Sequence, residues 1–349
     1  WSMCDTESNW ATCPKNIKHL WSHARFGKLL TETFQEAIML KQIHRSKEDL
    51  WWTESCLRLR DFTCTFEGDW AVWKQHDLDR EHLNKEQVEY FENKALWLCA
   101  RCEDVGQRNG RKLAEIAEKE KQLIHQIYAI HSHKSAKKCT ASVFDGLRGV
   151  VNLVRGCKVV LTRNVAYKFG LANGTRGTFI SAVYGSDGVG TFPEALICEF
   201  PDYCGDHFYK DEPKWVPIVP KVAYKDKSKM SRTQFPLVAG FALTVNKAQG
   251  LTVKEGVVIH LVSSSRKFKP ASKHGLPFVA FTRSESFAMT AFKNIPAWQD
   301  FQKGSESDML KMRLRFTGNP DTSATADTGN NLAAWPSNIY MFSCTMGFK

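Results

Sequence analysis

The residues best equipped for chemistry follow an apolar stretch, QFPLVAGFALTVNKAQGLT (Gln234–Thr252), which ends in Thr244, Asn246, Lys247, Gln249 and Gly250. A hydroxyl, two carboxamides and an ammonium offer hydrogen bonds to phosphate or base. Gly250 lets a helix stop or a backbone approach a phosphate. The small residues Ala239, Gly240, Ala242 and Ala248 permit close backbone packing. Two readings stay open: a buried helix with a polar C-terminus, or a phosphate-facing turn. A β-run, VVIHL (Val257–Leu261), follows at once. A second cluster is the CxxC of Cys99 and Cys102, with His131 and His133 downstream. Zinc needs four converging ligands, and no second cysteine pair offers them. Cys99 ends the apolar run ALWLC, so these are read as structural thiols and no metal site is expected.

The elements that must position these residues come from a chain of 349 residues, long enough for two or three domains. Hydrophobic residues make up 43%, and the net charge of +11 points to an anionic partner, nucleic acid above all. No apolar run approaches 18 residues, so no membrane partner is expected. The chain opens on Trp1 and is expected to be an internal piece of a longer protein. Eleven scattered cysteines, an odd count, suit reduced thiols in an intracellular compartment.

Helical spacing marks Glu48–Arg60, and Asn84 with Gln87 has the form of a capping box. ALWLCA (Ala95–Ala100) reads as a buried strand, Val105–Ile124 as a charged amphipathic helix, and IYAIH (Ile127–His131) as another strand. Such alternation predicts an α/β fold with a parallel sheet. Between Gly170 and Pro220 the text changes to short strands, RGTFISAV, EALICEF and KWVPIVP, with tight turns. Asn173 and Gly174 are expected at positive φ in one of those turns. SFAMTAF (Ser286–Phe292) reads as a last strand. Past Ser305 comes one possible helix, DMLKMRLRF, then a stretch with the composition of a disordered linker.

Four blocks, in order, resemble superfamily 1 helicases of the Pif (petite integration frequency) and RecD types. Ala242–Leu251 fits the motif V pattern A-x-T-[IV]-H-K-[SA]-Q-G-x-T over ten consecutive positions with one departure, Asn246 in place of histidine. GLPFVAFTRSES (Gly275–Ser286) resembles motif VI and puts Arg283 at its arginine. KVVLTRN (Lys158–Asn164) and GLANGTRG (Gly170–Gly177) resemble the family's G-A-K-V-M-L-T-x-N … G-L-x-N-G block. Phe34, Leu40 and Arg45 fit the looser motif IV, and Asn109 stands in the family's V-x-x-x-N position.

The resemblance implies a RecA-like parallel-sheet lobe, 27–165 and 233–295, with a small SH3-like β-barrel, 166–232, inserted in it. Residues 1–26 would end a preceding lobe, and 296–349 would form a partly disordered tail. It assigns transition-state charge stabilisation to Arg283 and, second, Arg45, because a guanidinium fork stays charged and grips phosphate. Gln249 and Gly250 would face the nucleotide; Thr244, Asn246, Lys247 and Asn173 would face DNA. The cofactors implied are ATP and Mg2+, bound mainly by a first lobe expected upstream. No phosphate loop G-x-x-x-x-G-K-[ST] occurs here: Gly27-Lys28 precedes a leucine, and Asp211-Glu212 lacks an apolar strand before it. The expected function is the second motor lobe of an ATP-dependent DNA helicase, inactive alone, that translocates on single-stranded DNA and unwinds duplex junctions. The alternatives are a non-catalytic nucleic-acid-binding remnant of a mobile-element helicase and an RNA-directed relative.

Overall fold

A computed structural model of the protein describes residues 45–302 other than 62, 187–191, 226–229 and 263–274, all within the unit His44–Gly304. Its helices are α1 (Leu50–Asp61), α2 (Ala71–Gln75), α3 (Lys85–Asn93), α4 (Cys102–Lys119), α5 (Val245–Ala248), α6 (Leu276–Phe281) and α7 (Trp298–Gln302). The first seven strands are β1 (Leu96–Cys99), β2 (His125–Tyr128), β3 (Ile130–His131), β4 (Val150–Leu153), β5 (Lys158–Leu161), β6 (Arg176–Val183) and β7 (Ala195–Glu199). The rest are β8 (Trp215–Ile218), β9 (Lys221–Tyr224), β10 (Ser231–Gln234), β11 (Leu237–Ala239), β12 (Ala242–Thr244), β13 (Val257–His260) and β14 (Thr290–Phe292).

LWLC and VVIH carry no polar alternation, as expected of strands covered on both faces. They form the centre of an all-parallel sheet in the order β12-β1-β13-β14. On one face Leu96, Leu98, Leu243, Val257, Ile259 and Phe292 pack with Trp52 and Cys56 of α1 and Phe281 of α6. On the other, Trp97, Cys99, Ala242, Val258 and Ala291 meet Phe91 of α3 and Val105 of α4. The capping box forms: Asn84 Oδ1 accepts from Gln87 N at 2.8 Å, and Asn84 N donates to Gln87 Oε1 at 3.0 Å.

The antiparallel part is a five-stranded sheet, β11-β5-β6-β7-β8, with a smaller sheet β3-β10-β9 and the pair β2-β4. The larger sheet takes β5 and β11 from outside 166–232. The chain passes from it to the parallel sheet at Gly240. A Cβ there would lie 2.7 Å from Val160 Cγ2 and 3.0 Å from the Val159 carbonyl carbon. Only glycine fits so close an approach.

That crossing settles the reading of Gln234–Thr252. It is not a buried helix: from the end of β10 it runs through two strands of different sheets, β11 and β12, to the single turn α5. IYAIH divides at Ala129 into β2 and β3, which pair with different strands, and only Thr290–Phe292 of the expected last strand is extended. In GLANGTRG, Gly174 has φ +94° while Asn173 is absent from the positive-φ residues, so the turn needs left-handed backbone at one position, not two. Phe34, Leu40, DMLKMRLRF, the tail beyond it and residues 1–26 lie outside the described residues.

Candidate functional site

Two faces flank the β12–α5 turn. On the first, α6 is followed by Thr282, its C-cap, and Arg283, and it packs against α5. Arg283 is 1% exposed. Its Nε donates to Val279 O at 2.8 Å, its Nη1 to Leu251 O at 3.0 Å and Ala248 O at 3.4 Å, and its Nη2 to Thr282 Oγ1 at 2.9 Å. Those two carbonyls bracket Gln249 and Gly250, which are exposed, with Gly250 at φ +91°. Arg45, on the turn before α1, donates through Nε to Thr252 Oγ1 at 3.0 Å and through Nη1 to Thr282 O. Arg45, Arg283 and the Gln249–Gly250 turn are thus one cluster.

The electrostatics follow from this crowding. Burial, and then the neighbouring Arg45 guanidinium, bring Arg283 down to about 10. It remains a cation at neutral pH. Arg45 is also lowered by burial, opposed by the Glu285 carboxylate. Asp49 accepts from Trp52 N at 2.9 Å and Phe287 N at 2.8 Å, which caps α1 and fixes the segment after α6. With Asp49 so engaged, the described residues of the cluster offer cations and backbone that suit a polyphosphate but no set of carboxylates for Mg2+. Among the described residues no group of three or more His, Cys, Asp and Glu stands close enough to hold a metal ion.

The second face lies at the C-terminal ends of β1 and β12, where ligands of open α/β sheets bind. Thr244 and Lys247 line a groove there with Arg148 and Asn152, neither of which the motifs point to. Asn246 is exposed at the start of α5 and is not among the lining residues. Burial lowers Lys247, and Arg148 lowers it further. Asn109 of α4 holds the groove wall: Nδ2 donates to Ala239 O at 3.0 Å and Ala242 O at 3.2 Å, and Oδ1 accepts from Ala242 N at 2.8 Å. Asn173 is exposed, and its N–H donates to Asn164 Oδ1 at 2.8 Å. The next residue, Gly174, abuts Leu251, since a Cβ there would sit 3.0 Å from Leu251 Cδ2. Arg148 escapes a reading by motif. Its one sequence signal is a lone cation between Gly146 and Gly149 ahead of a strand.

No family model matches the chain. Among curated proteins it is 27% identical over 162 residues to the human ATP-dependent DNA helicase PIF1, covering 46% of this chain and 22% of that protein. It is 27% identical over 192 residues to the zebrafish (Danio rerio) protein of the same name, covering 55% and 26%. The chain therefore spans only a fraction of the length of these relatives. Its fold is similar to the crystal structure of Pif1 helicase from Candida albicans, with TM-score 0.59 and 22% identity over 81% of this chain and 61% of that one. It is also similar to the Bacteroides Pif1 helicase in complex with ADP-AlF3 and ssDNA, with TM-score 0.56 and 17% identity over 88% and 64%. By sequence over about half its length and by fold over most of it, the chain is similar to Pif1 helicases.

Proposed function

We propose that the chain is the second motor lobe of an ATP-dependent DNA helicase, which moves along single-stranded DNA and opens duplex at junctions. The observation that carries this is the convergence of Arg45 and Arg283 on Thr282, beside the exposed Gln249–Gly250 turn. ATP and Mg2+ would be held mainly by a first RecA-like lobe, with this cluster meeting the γ-phosphate from across the cleft. Arg45 is the more available of the two arginines. It is half-buried with two hydrogen bonds, whereas Arg283 must exchange its carbonyl partners before reaching a phosphate. On this reading 27–165 and 233–295 make the lobe, and 166–232 is an inserted SH3-like subdomain whose sheet recruits β5 and β11. The Bacteroides Pif1 helicase, whose fold is similar, was solved in complex with ADP-AlF3 and ssDNA, which is in keeping with a protein that meets both a nucleotide and a strand.

Asn246 favours a second reading, a nucleic-acid-binding remnant without motor activity, because a carboxamide cannot stack on a base as an imidazole does. Fluorescence anisotropy with a labelled single-stranded oligonucleotide tests what both share: binding that weakens with salt is expected. No binding at low salt overturns both. A magnesium-dependent ATPase assay on the 349 residues is expected to be silent, and turnover would overturn the assignment of ATP to another lobe. A phosphate-loop motif in the reading frame upstream of Trp1 selects the motor over the remnant.

A further inference from the structure

The groove beside Thr244 has two cations, Arg148 and Lys247, and no described aspartate or glutamate lines it. Among the described residues neither cation has a carboxylate within ion-pair distance. One wall is β4, through Val150, Val151 and Asn152, the first and last of which lie on its outer face. In the antiparallel register Tyr128 stands opposite Val150 and Gln126 opposite Asn152. Directly opposed residues project from the same face of a sheet with their Cβ atoms ~5 Å apart. Ile127, Val151 and Leu153 turn the other way, into the core. Tyr128 is 62% exposed, and among the described residues no ring or cation packs on it. Its hydroxyl donates to Gln126 Oε1 at 2.6 Å, which steadies the ring on the sheet.

A bare aromatic face next to an acid-free cationic trough suits a strand whose bases are unstacked. A duplex hides its base faces and has no use for the ring. We infer that Tyr128 stacks a base of single-stranded nucleic acid while Arg148 and Lys247 hold the phosphodiester running through the groove. This rests on the strand-binding half of the proposed function, and it supplies the stacking surface that Asn246 lacks.

The test is equilibrium binding of a single-stranded oligonucleotide containing 2-aminopurine, over a salt series, with the whole chain and its Tyr128→Ala, Tyr128→Leu, Tyr128→Phe and Arg148→Ala variants. Loss of the ring should weaken binding about 5- to 150-fold and abolish the 2-aminopurine quench. Tyr128→Leu keeps apolar bulk on the strand, so it folds even if the alanine variant does not, and it should bind as weakly. Tyr128→Phe keeps the π-face and should match the parent. Arg148→Ala should reduce the slope of log K against log salt by about 0.7, one phosphate's share for a single strand. Binding by the parent that Tyr128→Leu leaves unchanged overturns this site alone. Failure of the parent to bind overturns the strand-binding reading beneath it.

Discussion

Arg283 reaches back across the molecule to Leu251, donating from Nη1 to its carbonyl at 3.0 Å, so the end of α6 is tied to the turn after α5. Val253 N closes the same junction by donating to Arg283 O at 3.0 Å. An arginine expected to act on phosphate is therefore also a structural clamp. The turn after α5 and the end of α6 are held together by one buried guanidinium that bonds three backbone carbonyls.

Removing that clamp should cost stability before any chemistry is measured. Arg283→Ala leaves the carbonyls of Val279, Leu251 and Ala248 without their buried donor. The loss should be about 2–4 kcal/mol, since charged donors are involved and the acceptors stay buried. Arg283→Lys should recover part of it, because one ammonium cannot span the fork's partners. Urea unfolding of the three proteins measures this. A change within the error of the parent would mean that the clamp contributes nothing.

What could be read from sequence divides along the same line. β1 and β13 were legible because doubly covered strands need uninterrupted apolar runs, and α3 because Asn84 and Gln87 cap it locally. The path of Gln234–Thr252 was not, since it depends on how closely Gly240 approaches Val159 and Val160, residues far away in sequence. The motifs brought Arg45, Arg283, Gln249 and Gly250 to one place, but not the burial of Arg283, which its distant carbonyl partners decide. Tyr128 read only as part of a strand. Which face it shows to solvent is fixed by pairing with β4.

Arg45 offers a cleaner probe of the cluster around Thr282. Its Nε bond to Thr252 Oγ1 is exposed, so Thr252→Val alone should cost only about 0.5 kcal/mol. Arg45→Ala also loses the bond to Thr282 O. A double-mutant cycle should show coupling of roughly 0.5–1.5 kcal/mol between positions 45 and 252. Strict additivity in urea titrations would show that the two side chains do not meet.

Asp69 sets an acid limit on the same lobe. It sits buried in a wide helical turn (Phe66–Trp70) and accepts from Ser55 Oγ at 2.8 Å, Arg58 Nη2 at 2.8 Å and Thr65 N at 3.0 Å. Burial pushes its carboxyl up, but the bonds from Arg58, Thr65 and Ser55 outweigh it and hold the group below the usual range. A carboxyl whose folded pKa is depressed stabilises fully above its unfolded value near 3.8, and that share is lost as pH falls through the folded value. Thermal unfolding from pH 6 down to pH 2 should show the parent losing stability below about pH 4. Asp69→Asn should start lower and decline less. Parallel curves for the two would remove Asp69 as the cause.

The groove's geometry can be tested through Asn109, which no ligand need touch. One carboxamide here accepts from Ala242 N and donates to the carbonyls of Ala239 and Ala242, pinning the passage from β11 into β12 to α4. Asn109→Ala should destabilise by about 2–3 kcal/mol, for three bonds to partly buried backbone. Asn109→Asp should be worse at neutral pH, because a carboxylate would face two carbonyls with no proton to donate. That excess should shrink as acid protonates it and restores one donor. Since β12 carries Thr244 and leads directly into Lys247, strand binding should weaken in both variants even where the protein remains folded. Affinity measured at a temperature well below each variant's unfolding transition separates the two effects. Parent-like binding by a folded Asn109→Ala would show that the latch serves the fold alone.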